Sequence, residues 1–189
     1  LFSLIVLSSL NKLSEFFKIK DQLGLKDITV YLNVSAHTVM HPEFGDIFAN
    51  YADSMNFKQD EFGLEVTETA ELSNTEDAAK SLQKLKDKGI KIALDDFGAG
   101  YSSLRYIKDL PVDVVILDKH LTNGLDDPTT ANFIGLVVEV RKALSLEMIG
   151  EGIETEEQKK IMLEIGCEIG QGYLMHRPEF IETMLTKDS

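Results

Sequence analysis

Six short apolar stretches recur along the chain: ITVYLN (28–33), FGLEV (62–66), IKIALD (90–95), VDVVIL (112–117), LEMIG (146–150) and a weaker CEIGQGY (167–173). Several are apolar on both faces, as strands of a parallel sheet covered by helices must be. Helical patterns lie between them. Ser73 with Glu76 and Thr155 with Gln158 have capping-box spacing, and Gly89 stands where a helix should stop. Repeated strand–helix units predict an α/β fold with right-handed crossovers. Asn33, Glu65, Asp95, Ile116, Glu151 and Gln171 each fall near the C-terminal end of a stretch, 20 to 35 residues apart, so each step is about one βα unit. In an α/β barrel the C-terminal strand ends converge on one mouth. A flavodoxin-like open sheet gathers its site at a single switch point instead. The expected fold is therefore a TIM-like (β/α) barrel.

The 189 residues fit one domain, and 43% hydrophobic with 27% charged residues is a globular composition. A formal net charge of −13 argues against DNA or RNA polymers as partners, because duplex binders carry basic patches. A small anionic ligand held through cations remains allowed. A single cysteine, Cys167, excludes an intrachain disulfide framework and suits a reducing compartment, so the expected location is the cytoplasm. The opening LFSLIVLSSL is too short to cross a bilayer. Leu4, Leu7, Leu10, Leu13 and Phe17 continue at helical spacing, so it reads as a buried helix with no membrane contact. Helix 131–144, with Phe133, Leu136, Val137, Val140 and Leu144, reads as an ordinary packing face, and Met148, Met162, Met175 and Met184 read as core. His37, His41, His120 and His176 are scattered and read as surface or loop residues.

The barrel would bring Glu65, Asp95, Asp96, Glu151 and Glu154, with Asn33 and Gln171, into one cavity with few cations to offset them. Such repulsion is costly unless something positive resides there. Oxygen ligands without His or Cys suit Mg2+ or Mn2+ more than zinc. Asp95 closes its strand and Asp96 opens a loop, which relaxes the alternation of side chains enough for both to face the mouth. Glycines 98 and 100 let that loop approach closely. Taken singly, each acid is equally well read as a turn former or helix cap.

LNVSAH (32–37), LEVTETA (64–70), LDDFGAGYSSL (94–104), LPVDVVILDKHL (110–121), IGEGIETEEQ (149–158) and QGYLMHRP (171–178) appear in order and spacing that resemble the EAL domains, which usually hydrolyse the bacterial second messenger cyclic di-GMP. The resemblance covers nearly the whole chain, and 1–189 reads as one EAL-type domain. It implies a TIM-like barrel with an altered first strand, a metal-dependent site, and hydrolysis of one phosphodiester to give the linear dinucleotide pGpG. On that pattern Asn33, Glu65, Asp95, Asp96 and Glu151 look like metal ligands, with Glu151, Glu154 and Gln171 in the catalytic group. Gln171 would order site water and Glu154 would support the ligands. Asn33, Ser35, Asp96, Gly98 and Pro178 would face the nucleotide. Glu68 would brace the DDFGAG loop, through which a homodimer could form.

Two departures weaken the expectation of turnover. Relatives carry a lysine two residues before the aspartate that corresponds to Asp118, and this chain has Ile116 there. Residue 116 should look into the mouth, where an aliphatic group cannot orient water; losing such a group costs ~10²–10⁴ in rate. Lys119 should lie on the opposite face. The Glu-Ala-Leu motif that names the family is also missing; in relatives it lies upstream of the helix corresponding to 1–17, so about two strands would be lacking. Either the sequence is part of a longer protein or a partner or second copy covers the gap, and the first reading is preferred. The expected function is a catalytically impaired EAL module acting as a nucleotide receptor or protein-interaction element. The alternative is a working Mg2+- or Mn2+-dependent phosphodiesterase.

Overall fold

The computed structural model describes residues 28–55, 61–67, 75–99 and 103–179, together with the helical residues Leu13, Phe16, Phe17 and Lys20. Strands β1 (Val30–Val34), β2 (Phe62–Thr67), β3 (Lys91–Phe97), β4 (Val114–Leu117), β5 (Glu147–Gly150) and β6 (Ile169–Gly170) form one all-parallel sheet in chain order. Each strand pairs with its successor and helices fill the crossovers, the serial arrangement of a TIM-like barrel. The described strands number six against the eight of a complete barrel.

The alternation within β4 shows how the two faces divide. Val115 and Leu117 join the large core between sheet and helices, together with Leu64, Val66, Ile92, Leu94 and Met148. Val114 and Ile116 turn the other way into a small inner cluster with Ala93, against which Tyr31 and Ile149 pack. All four side chains of β4 are buried, as a strand covered on both faces requires. On the outer side, the Phe48 ring stacks on Phe62 at 5.7 Å and meets Phe44 at 5.5 Å, which holds helix Phe44–Met55 against β2. Leu13 is buried and Phe17 packs on the same core; Leu4, Leu7 and Leu10 lie outside the described residues.

Helix Glu156–Ile165 begins with the expected capping box: Thr155 accepts the Gln158 N–H at 3.1 Å, and Gln158 Oε1 accepts the Thr155 N–H at 3.1 Å. Helix Thr75–Lys86 ends before Gly89, whose φ of 81° needs the freedom of glycine. Ser73, the other expected cap, lies outside the described residues.

Helix Pro128–Leu144 corrects the expected packing face. Ile134, Val137 and Val138 are buried, whereas Phe133, Leu136 and Leu144 are 39%, 68% and 49% exposed. The segment FIGLVV is apolar nearly all round, so periodicity alone cannot choose a face. Contacts with β5 and helix Glu156–Ile165 choose it. Met148 and Met162 are core as expected; Met175 is exposed, and Met184 lies outside the described residues.

Candidate functional site

The acidic site is built around an irregularity in β3. The strand does not close at Asp95 but runs on to Phe97, with the register to β4 shifting between Leu94 and Phe97. Asp96 is the extra residue, with φ of 56°, a left-handed conformation costing ~1–3 kcal/mol for a residue other than glycine. Without it Phe97 would share the face of Asp95. With it Phe97 pairs with Leu117 and enters the outer core. The two carboxylates thus come together through a bulge inside the strand and not through a loop after it. The Asp96 N–H donates to Asp95 Oδ1 at 2.8 Å.

Glu151 follows β5 directly, with its N–H donating to the Leu117 carbonyl at 3.2 Å. One carboxylate oxygen from each of Asp95, Asp96 and Glu151 falls within a group whose members all lie within 4.8 Å of one another. Glu65 sits on β2, paired in register with Asn33 of β1 and Ala93 of β3. Burial, then the charges of Asp95 and Glu151, push its carboxyl up to about 7. Burial also raises Asp95. It raises Asp96 and Glu151 too, where neighbouring carboxylates add to it and Lys119 opposes them. An all-oxygen, multiply anionic group of this kind fits a hard divalent cation, which would relieve the repulsion and the burial together.

Asp118 is a member of this electrostatic group that sequence reasoning used only as a landmark. It caps the short helix Lys119–Asn123, accepts the His120 N–H at 2.7 Å, and meets His120 Nδ1 at 2.6 Å. Burial acts upward on its carboxyl, but these hydrogen bonds outweigh it and hold it below the usual carboxylate range. Its position at the end of β4 was the available signal.

A cavity of about 550 Å³ opens beside Glu151 and is lined by Glu154, Gln171, Pro178 and Lys119 among others. The Arg177 guanidinium lies 4.4 Å from the Tyr173 ring centroid on its wall. Lys119 corrects the expectation that placed it on the far face. β4 ends at Leu117 and Asp118 caps a helix, so strand alternation no longer governs residue 119.

Among the other expected site residues, Ser35 and Gly98 have evident structural tasks. Asn33 is exposed at the end of β1. The Ser35 hydroxyl accepts the Thr38 N–H at 3.2 Å and caps helix Ala36–Val39. Gly98 has φ of 97°, and a Cβ there would come within 2.6 Å of Leu121 Cδ1, so it permits the chain to turn after the bulge. Ile116 faces inward as expected but is buried in the apolar cluster with Ala93 and Val114. Glu68 lies outside the described residues.

Residues 3–178 match the family model of the EAL domain. The chain belongs to the EAL domain family. This EAL domain is 32% identical over 163 residues to the bifunctional diguanylate cyclase/cyclic di-GMP phosphodiesterase MucR of Pseudomonas aeruginosa, covering 86% of this chain but 24% of that protein. The chain thus spans about a quarter of that relative. The solved structure of the PaMucR phosphodiesterase in complex with c-di-GMP superposes with a TM-score of 0.85 at 30% identity, covering 96% of this chain and 75% of that one. BlrP1 of Klebsiella pneumoniae, solved with manganese and cyclic di-GMP, gives a TM-score of 0.76 at 27% identity over 87% of this chain and 43% of that one. Among the described residues of this EAL domain no helix is long and apolar enough to cross a membrane.

Proposed function

We propose that this EAL domain binds cyclic di-GMP together with Mg2+ or Mn2+ and hydrolyses it poorly, serving as a nucleotide receptor or protein-interaction module in the cytoplasm. The observation that carries the reading is Ile116: it is buried among Ala93, Val114, Tyr31 and Ile149, on the strand beside the one that carries Asp95 and Asp96. An aliphatic group packed there holds no proton and orients no water.

Asp95, Asp96 and Glu151 would hold the cation, with Glu65 and Asn33 completing the donor set. A bound divalent ion supplies Lewis-acid activation of water and neutralises phosphate charge. The chain's own residues do the rest. Gln171 borders the same cavity as Glu151 and can orient a water by hydrogen bonding. Glu154 lies three residues past Glu151, its N–H tied to Gln158 Oε1 at 2.8 Å, which fixes the turn carrying both. Pro178 lines the same cavity, where the nucleotide would lie. Asp96 and Gly98 would face the nucleotide from the turn after the bulge, and in this reading Glu68 braces that turn and a second copy docks against it.

The convergence of Asp95, Asp96 and Glu151 favours the second reading, a working phosphodiesterase yielding pGpG. Hydrolysis of cyclic di-GMP in Mn2+ by the native chain and by Ile116→Lys separates the two. The receptor reading expects tight binding with slow turnover, and at least a tenfold gain in the lysine variant. Turnover by the native chain matching an ordinary family member within about tenfold overturns it.

A further inference from the structure

Lys119 opens helix Lys119–Asn123 at the C-terminal end of β4. Its stem lies against the backbone of Gly152: a Cβ built on that glycine would come within 2.6 Å of Lys119 Cβ, and the glycine's φ of 76° disfavours any side chain there. The residue after Glu151 is thus kept bare where the lysine crosses it. Lys119 also lines the 550 Å³ cavity together with Glu151, Glu154 and Gln171. Several other lysines pair with carboxylates, as Lys84 does with Asp46 and Lys88 with Asp53, each within 2.7 Å. Among the described residues Lys119 is exposed and forms no such ion pair. It nonetheless opposes the upward pull on Asp96 and Glu151, so its charge is felt inside the acidic group.

The arrangement is a seated but uncommitted cation at the edge of a strongly anionic pocket. An ammonium is a compact point charge suited to phosphate oxygen. We infer that Lys119 is a phosphate-contacting cation of this site, reaching the anionic ligand from the helix after β4 in place of a side chain at position 116. The inference rests on the reading of the cavity as a site for a phosphodiester nucleotide. It adds that binding survives the aliphatic residue at 116 because positive charge enters from the rim. A rim lysine can hold a phosphate without being placed to activate the attacking water, so affinity and turnover separate.

The test is calorimetric titration of the full chain with cyclic di-GMP in Ca2+, comparing the native protein with Lys119→Met and Lys119→Arg. A second titration uses Mn2+ alone. The exposure of Lys119 makes both variants compatible with folding. Lys119→Met is expected to weaken nucleotide binding at least tenfold and to flatten its salt dependence, and Lys119→Arg to stay within about threefold of native. Mn2+ binding without nucleotide should be unchanged or tighter in Lys119→Met, because a positive charge has left the acidic group. Native binding with Lys119→Met within twofold of it overturns the inference and leaves the nucleotide reading standing. Parallel weakening of Mn2+ and nucleotide also overturns it, since that marks damage to the acids. Absence of nucleotide binding by the native chain overturns the reading and the inference with it.

Discussion

Glu65 reports what it costs to bury an acid beside Asp95 and Glu151. Its carboxyl is lifted from 4.5 to about 7 by burial, Asp95 and Glu151. At ~1.4 kcal/mol per pH unit that rise corresponds to about 3 kcal/mol, and because the group is only partly buried, solvent screening reduces it to about 1–2 kcal/mol. The folded state binds this proton more tightly than the unfolded chain does. Its contribution to stability is therefore fully present below pH 4.5 and lost as pH rises through about 7. Glu65→Gln keeps the shape, removes the charge and abolishes that loss. In EDTA at pH 8 the variant should be more stable than the native chain by about 1–2 kcal/mol, and at pH 4.5 the two should differ by less than ~0.5 kcal/mol. Urea unfolding followed by circular dichroism at both pH values reads the difference. Saturating Mn2+ at pH 8 should reverse the order, because only the native chain keeps the full anionic donor set. A Glu65→Gln variant no more stable than native at pH 8 in EDTA refutes the claim that burial, together with Asp95 and Glu151, raises the Glu65 carboxyl.

Two structural features can be tested the same way. Thr155→Ala removes one half of the reciprocal cap on helix Glu156–Ile165 and should cost ~1 kcal/mol in urea unfolding, with little change in Mn2+ affinity. Gly98→Ala meets both a positive φ and Leu121 at the turn after the bulge; it should lose ~1–3 kcal/mol and weaken Mn2+ binding, because Asp95 and Asp96 are positioned by that turn.

The sequence reached the strands and most of the site for a physical reason. Residues buried on both faces leave continuous apolar runs, and polar residues at their ends have few other reasons to recur once per βα unit. What it missed were the places where local geometry breaks the regular period. The pairing of Asp95 with Asp96 was expected at a strand end, yet it arises from an inserted residue, and the telling sign is Phe97, which the bulge returns to the outer core. A bulge leaves no composition signal beyond an Asp able to adopt a left-handed φ. Lys119 was placed on the wrong side because strand alternation was carried one residue past the strand. Asp118 ends that alternation by capping a helix. Phe133, Leu136 and Leu144 were misassigned because a helix apolar on nearly every face is oriented by its neighbours.

These two irregularities divide the labour at the mouth. The regular parts of β3 and β4 send Ala93, Val114 and Ile116 inward as an apolar cluster, whereas the bulge at Asp96 and the helix start at Lys119 bring charged groups beside it. Negative charge then collects at the centre and the uncommitted positive charge at the rim. An apolar cluster of this kind raises the energy of every carboxylate beside it, as the shift of Glu65, in register with Ala93, records, and so increases the gain from admitting a cation. A lysine at 116 would place one positive charge permanently among the acids and reduce that gain. The substitution expected to impair turnover is therefore also one that strengthens the demand for metal, and Ile116→Lys should bind Mn2+ more weakly than the native chain even where it hydrolyses faster.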